Sequence, residues 1–165
     1  MKKVLFASVS TAVLAANDIL PTGMKITPTA ASGSVFQTLS WPNPDSTKPG
    51  IEADHAVDIA LSPDGKTLLI LTSGYNSYND SNGITDPALS KEHVFVYDIS
   101  SGTPNKTQVI PVDNTFNGIA WNPKLDAAGK PVEFYVSGGV NDNIHVYTPS
   151  ATPGQWQEAN SRSRL

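Results

Sequence analysis

The chain has no cysteine, and that one absence excludes disulfides, thiolate nucleophiles and cysteine metal sites together. Charge is also scarce: Asp, Glu, Lys and Arg make up 16% of the residues and leave a formal net charge of −4. A mild acidic balance without a clustered basic stripe gives no nucleic-acid footprint. Beyond the first residues no apolar run approaches the length of a membrane span, and after residue 20 helical periodicity never establishes itself. There is no glycine-rich phosphate loop and no catalytic serine elbow. Turn chemistry is abundant instead: 12 glycines and 13 prolines in 165 residues favour many short strands over long helices.

The stretch His55 to Gly74 (HAVDIALSPDGKTLLILTSG) returns as Thr115 to Pro123 (TFNGIAWNP) followed by Pro131 to Gly139 (PVEFYVSGG). In both copies isoleucine, alanine and a large apolar residue precede a Ser-Pro or Asn-Pro: Ile59-Ala60-Leu61-Ser62-Pro63 and, 60 residues on, Ile119-Ala120-Trp121-Asn122-Pro123. A further strand pattern repeats as Val94 to Tyr97 (VFVY) and Ile144 to Tyr147 (IHVY), offset by 50 because the first copy carries a longer loop. The first unit is expected to hold strands at 57–61, 67–72, 94–99 and 107–112, with Pro63-Asp64-Gly65 as a turn. There proline presets φ, aspartate bonds its own backbone and glycine accepts the left-handed region. The second is expected to hold strands at 118–121, 132–136 and 144–147, with 156–159 beginning a fourth.

Four short antiparallel strands per repeat mark a β-propeller blade. The expected fold is therefore all-β: a partial β-propeller of about two four-stranded antiparallel blades plus one extra strand, in an incomplete ring. A ring typically needs about 4 to 8 blades. The expected domains are a signal peptide over 1–15, an extended segment over 16–54, blades over 55–113 and 114–159, and a short tail. Met1 to Ala16 (MKKVLFASVSTAVLAA) has two lysines, a short apolar run and small residues, with Val13 and Ala15 suited to cleavage after Ala15, so export to the periplasm or medium is expected. In 16–54, one strand is expected at 34–39, and Trp41 to Gly50 (WPNPDSTKPG) is expected to be a loop. The strands 134–136 and 144–147 belong to a blade with no successor, so one of its faces is expected to be bare.

Four stretches together carry a resemblance to a known family: PTGMKITP (Pro21 to Pro28), ALSPDGKTLLILTSGYN (Ala60 to Asn76), VFVYD (Val94 to Asp98), and NTFNGIAWNP (Asn114 to Pro123) with YVSGGVNDNIHVY (Tyr135 to Tyr147). The chain resembles the N-terminal part of bacterial exported proteins of the YncE/YVTN β-propeller type. Within that group it resembles those whose seven-bladed propeller is followed by an alkaline-phosphatase-superfamily phosphoesterase domain. It departs from that pattern in holding about two blades and no phosphoesterase domain. The metal ligands and phosphate-attacking hydroxyl that the resemblance implies therefore have no counterpart among these residues.

The polar residues have plain structural explanations. Asp58, Asp64, Asp98 and Asp113 sit beside strand ends, where turns and solubility account for them. His55, His93 and His145 share no ligand spacing, although stacking could bring His55 near a central channel. Asn76, Asp80, Asn82 and Asp86 lie in a long loop whose DSNG stretch resembles part of a calcium loop but lacks its ligand spacing. Asn117, Asn122, Asn141, Asp142 and Asn143 are expected to cap strand-end amides. Phe95 and Tyr97 share one face of their strand and Val94 and Val96 the other. Trp121 stands where Leu61 does and is expected in the core between blades, while His145 in place of Phe95 points to a less buried face. No catalytic, cofactor or metal site is assigned. The expected function is a non-catalytic propeller scaffold or interaction module. Its partners would be the remaining blades, an adjoining domain or another protein, with self-association through an open blade face, and neither nucleic acid nor membrane. The alternative is part of a propeller hydrolase, lactonase-like or phosphoesterase-linked, whose active site lies outside this chain.

Overall fold

The computed structural model describes residues 18–19, 25–26, 37–43, 46–48, 50–53, 55–73, 77–80, 82–140 and 142–163. The expected signal peptide lies outside them. The chain divides into two compact units, Met1–Gln37 and Thr38–Leu165. In the first, β1 (Asp18–Ile19) pairs antiparallel with β2 (Lys25–Ile26). The second holds a short antiparallel pair, β3 (Ser40–Trp41) with β4 (Ile51–Glu52), and two four-stranded sheets. No helix occurs among the described residues.

The first sheet runs β5 (Ala56–Leu61), β6 (Thr67–Thr72), β7 (Glu92–Asp98) and β8 (Asn105–Val112), each strand hydrogen-bonded to the next in the chain. The second repeats this order as β9 (Thr115–Trp121), β10 (Phe134–Gly138), β11 (Asn143–Pro149) and β12 (Trp156–Ser163). All neighbouring strands are antiparallel. The architecture is all-β, two blade-like sheets stacked face to face and not closed into a barrel, which is a partial propeller.

The ladders turn the sequence repeat into a structural one. Ile59–Ile70–Phe95–Val109 across the first sheet matches Ile119–Val136–His145–Ser161 across the second. Leu61–Leu68–Tyr97–Lys106 likewise matches Trp121–Phe134–Tyr147–Glu158. Even the irregularities correspond: the register shifts at Val96/Tyr97 and at Val146/Tyr147, and again between the first two strands of each sheet. A bulge bends its strand and raises the local twist, so equivalent bulges give the two sheets the same curvature and let them nest.

The turns form as their chemistry requires. In the β5–β6 turn Gly65 takes φ +70°, a region closed to residues with a Cβ except at a cost. Asp64 Oδ1 accepts from the Lys66 amide at 3.1 Å, and Ser62 Oγ accepts from the Thr67 amide at 2.8 Å. The second sheet rebuilds this device inside its longer loop, where Asp126 Oδ1 accepts from the amides of Ala128 and Lys130, both at 2.8 Å. That loop corrects the expected strand at 132–136. Pro131 bridges Leu125, and the Asn122 amide bonds the Glu133 carbonyl, so β10 begins only at Phe134 and runs to Gly138.

Two other expectations are corrected. Gln37 to Leu39 is not in a strand, while residues 34–36 of that expected element lie outside the described residues. Within the expected loop Trp41 instead pairs with Ile51, and its ring lies 4.9 Å from that of His93. Lys106 Nζ donates to the Ser40 carbonyl at 2.5 Å. The β3–β4 pair is thus docked on the outer strands of the first sheet.

Alternation along each strand gives the first sheet two sides. Leu69, Leu71, Val94, Val96 and Ile110 face the second sheet, with Ala60 packed beside them. They meet Ile119, Phe134, Val136, Tyr147 and Trp156 in one core, with Trp121 at its margin. Phe134 is its centre: it stacks on Tyr147 with centroids 4.8 Å apart and meets Trp121 and Trp156 edge-on, both at 5.3 Å. Phe134 and Val136 are therefore not on a bare face. The exposed face expected of the second sheet is limited to its opposite side, where Ile144 is half exposed. The larger bare apolar stripe belongs to the first sheet, where Ile59 is 65% and Leu61 57% exposed.

Candidate functional site

The polar side chains best placed to do chemistry lie where the chain passes from one sheet to the other and along the contact between the sheets. Their bonds show what they do. Asp58 Oδ1 accepts from its neighbour's amide, that of Ile59, at 2.8 Å, and its Oδ2 reaches across to the Ile119 amide at 3.3 Å. Trp121 Nε1 donates to the Ala60 carbonyl at 3.1 Å, so this indole is core and clasp rather than a stacking platform. At the outer strands Gln108 makes a two-point contact with the backbone of Trp156: Nε2 donates to the carbonyl and Oε1 accepts from the amide, both at 2.8 Å. The backbones of the two sheets run beside each other chiefly at β5 and β9. First strands converge and side chains bridge the outer strands, as radial stacking of blades requires.

At the crossing between the sheets, Ser73 Oγ donates to the Thr115 carbonyl at 2.7 Å, and Glu92 Oε2 accepts from the Thr115 amide at 3.0 Å. Asn114 Oδ1 accepts from the Gly139 amide at 3.0 Å. Lys91 Nζ pairs with Asp113 at 2.6 Å, and this bond and charge hold the Asp113 carboxyl below the usual carboxylate range. Ser73 is therefore tied to backbone and not to a base, and no nucleophile–base pair of the kind that activates a hydroxyl arises here.

The remaining sequence candidates separate in the same way. Asp80 Oδ1 accepts from the amides of Asn82 at 2.8 Å and Ile84 at 2.9 Å, and these bonds lower its pKa. The DSNG stretch is therefore the same turn device as that at Asp126. Asp86 Oδ1 accepts from the Ala88 amide and Asp98 Oδ1 from the Ser100 amide, and Ser100 holds the Asp98 pKa low. Asn122 Oδ1 accepts from the Lys124 amide at 3.0 Å, while its amide group donates to Glu133 and to the Tyr135 hydroxyl. Tyr135 in turn donates to Glu133. Asp142 takes a positive φ of 50° in the β10–β11 turn, and Asn117 is exposed. Asn76 and Asn141 lie outside the described residues.

The three histidines lie apart. His55 is exposed at the foot of β5 with φ 56°, and its carbonyl accepts from the Ser73 amide at 3.1 Å. His145 is buried at 8% exposure against 0% for Phe95, so its place is only slightly more open, in the direction expected. Its Nδ1 donates to Glu158 Oε1 at 2.8 Å, an acceptor that Phe95 at the equivalent place does not need. The side chain missed by sequence reasoning is His93. It is 2% exposed between Trp41 and Phe95, and burial pushes its pKa down to about 4. Both of its ring nitrogens and the neighbouring Trp41 Nε1 are buried without a hydrogen-bond partner among the described residues, as are Asn143 Oδ1 and His145 Nε2. A lone histidine in an apolar strand has no spacing to announce it, and the only sequence signal is its departure from the alternation of β7.

Among the described residues no three His, Asp or Glu side chains gather closely enough to hold a metal ion. No described helix is long and apolar enough to cross a membrane. No family model, curated protein or solved structure matches the chain.

Proposed function

We propose that this chain is a non-catalytic β-propeller segment acting as a scaffold or interaction module of an exported protein of the YncE/YVTN type. One contrast carries the reading: the polar side chains at the sheet crossing are bonded to backbone amides and carbonyls, while a stripe of large apolar side chains on β5 is left open to solvent. The first arrangement supports rigidity without chemistry, and the second supports binding by apolar contact. The positive, apolar start of the sequence supports export with loss of about 15 residues, and the mass of protein recovered from the native host's periplasm or medium checks it. An intact chain confined to the cytoplasm counts against export.

Hydrolysis of a phosphoester or lactone needs a metal or an oxyanion clamp together with an activated nucleophile. Purified chain is expected to turn over neither substrate class, with or without added divalent metal. Metal-dependent turnover that disappears in Asp58→Ala or His55→Ala would overturn the reading in favour of a hydrolase site on β5.

A further inference from the structure

The side of the first sheet that carries Ile59 and Leu61 also carries His93, Phe95 and Tyr97, which are 2%, 0% and 3% exposed. The matching side of the second sheet, with Ile119, Val136 and Tyr147, is seated on a neighbouring sheet. Here the cover comes from the β3–β4 pair instead. The Trp41 ring lies 4.9 Å from that of His93, and Lys106 Nζ stands 5.7 Å from the Phe95 centroid while it donates to the Ser40 carbonyl. A strap of two short strands thus occupies a place where the repeat seats a sheet. Its closure buries His93 Nδ1, His93 Nε2 and Trp41 Nε1 without a partner among the described residues. A buried polar atom of this kind loses its hydration and gains no bond, so the closed position is opposed from within.

We infer that the β3–β4 pair is an acid-released strap, held over the first sheet by Trp41 while the His93 ring is neutral and lifted when that ring takes up a proton. A protonated imidazole donates through both nitrogens, and beneath Trp41 it has nothing to donate to. Its ladder neighbours, Thr72 on β6 and Pro111 on β8, and its ring neighbours, Trp41 and Phe95, carry no charge. The charged groups on the surrounding elements are engaged elsewhere or exposed. Glu92 accepts from the Thr115 amide, Asp98 from that of Ser100 and Asp58 from those of Ile59 and Ile119, Lys106 donates to Ser40, and Glu52 on β4 and His55 at the foot of β5 are exposed. Tyr97, the other titratable group on this face, is kept neutral by burial. Water must then serve the proton, and a cover has to move to admit it. β7 is paired along both edges, to β6 and to β8, whereas β3 and β4 pair with each other over two positions and join no larger sheet. A two-stranded ladder is marginally stable at best on its own, so the strap is the part that lifts. Burial holds the covered ring's pKa at about 4 against 6.5 in water, so docking is at full strength above pH 6.5 and weakens as the pH falls towards 4. The inference goes beyond the scaffold reading and does not depend on it.

The test is an NMR titration of the full chain, labelled with nitrogen-15 at tryptophan, from about pH 7.5 down to pH 4, the range in which histidine changes charge. The chain's three tryptophans give three indole N–H signals, and Trp41→Phe identifies the one from Trp41. As the pH falls, that signal is expected to move towards the position of a solvated indole. Its opening equilibrium should shift by up to about 300-fold, the ratio of the acid constants of the open and the covered ring. The signals of Trp121 and Trp156 should stay in place, because those two rings meet in the core between the sheets. In His93→Phe the Trp41 signal is expected to hold still over the same range. His93→Leu serves where the larger ring does not fit, and the Trp121 and Trp156 signals show that either variant is folded. A Trp41 signal that stays put down to pH 4, one that moves only together with the other two, or one that moves equally in a folded His93 variant overturns the inference. The first two of these outcomes are read from wild type alone.

Discussion

The two sheets share strand order, register and bulge positions, yet the first strand of one is bare where the first strand of the other is core. Ile59 is 65% exposed and its counterpart Ile119 7%. The pair has the same residue type at the same ladder position, so the difference lies in the neighbour: Ile119 has the first sheet behind it, while Ile59 is left mostly open to solvent. A second contrast runs the other way. Phe95 has no polar atom to satisfy, but the histidine at the same place in the second sheet is buried as well and takes Glu158 as its acceptor. Repetition thus reproduces the backbone faithfully and leaves each side chain's energetics to its surroundings.

That contrast can be broken most severely at Phe134. Phe134→Ala removes the ring that stacks on Tyr147 and meets both Trp121 and Trp156, and it should destabilise the protein by about 3–5 kcal/mol. Urea unfolding checks it, and a loss below about 1 kcal/mol would mean that the two sheets do not share a core.

The next largest effect is expected at His93, which has no histidine counterpart in the second sheet. Its folded pKa is about 4 against an unfolded value near 6.5. The unfolded chain therefore binds this proton more readily than the folded one between those values. Stability is fully present above pH 6.5 and falls as the pH drops towards 4, by about 3 kcal/mol at the limit. His93→Phe should flatten this part of the pH profile. An unchanged slope would show that the ring is already solvated or protonated in the native state.

The smallest effect on stability is expected at Leu61. Leu61→Ala should change unfolding of the dilute monomer by no more than about 0.5 kcal/mol, as for other exposed positions. Trp121→Ala, at the equivalent place, should cost about 3 kcal/mol or more, since it loses both its ring contacts and its bond to Ala60. Equal losses at the two positions would mean that the first sheet's stripe is covered in solution.

The turns were legible because their chemistry is local: Pro63-Asp64-Gly65 specifies its φ angles and its own acceptor within a few residues. The repeat was legible because Ile59-Ala60 and Ile119-Ala120 precede matching breaks. Trp41 was not, since a two-residue strand beside Pro42 has no periodicity, and only the approach of Ile51 and His93 gives it a place. The start of β10 was also missed, because Val132 has strand propensity but Pro131 closes the preceding loop on Leu125. Asp58 and Gln108 looked like ordinary solvated residues; their partners, the backbone of Ile119 and of Trp156, are 61 and 48 residues away.

By itself, the sequence determined the meander of short strands, the turns between them and the alternation that gives each sheet two apolar sides, all of which depend on residues within a few positions of one another. Only the tertiary structure decided which of those sides became core. An apolar side chain is stabilised by what covers it, and the cover for Ile119 comes from β5 and β6 in the other sheet, far from it in the chain, while the identical Ile59 stays 65% exposed.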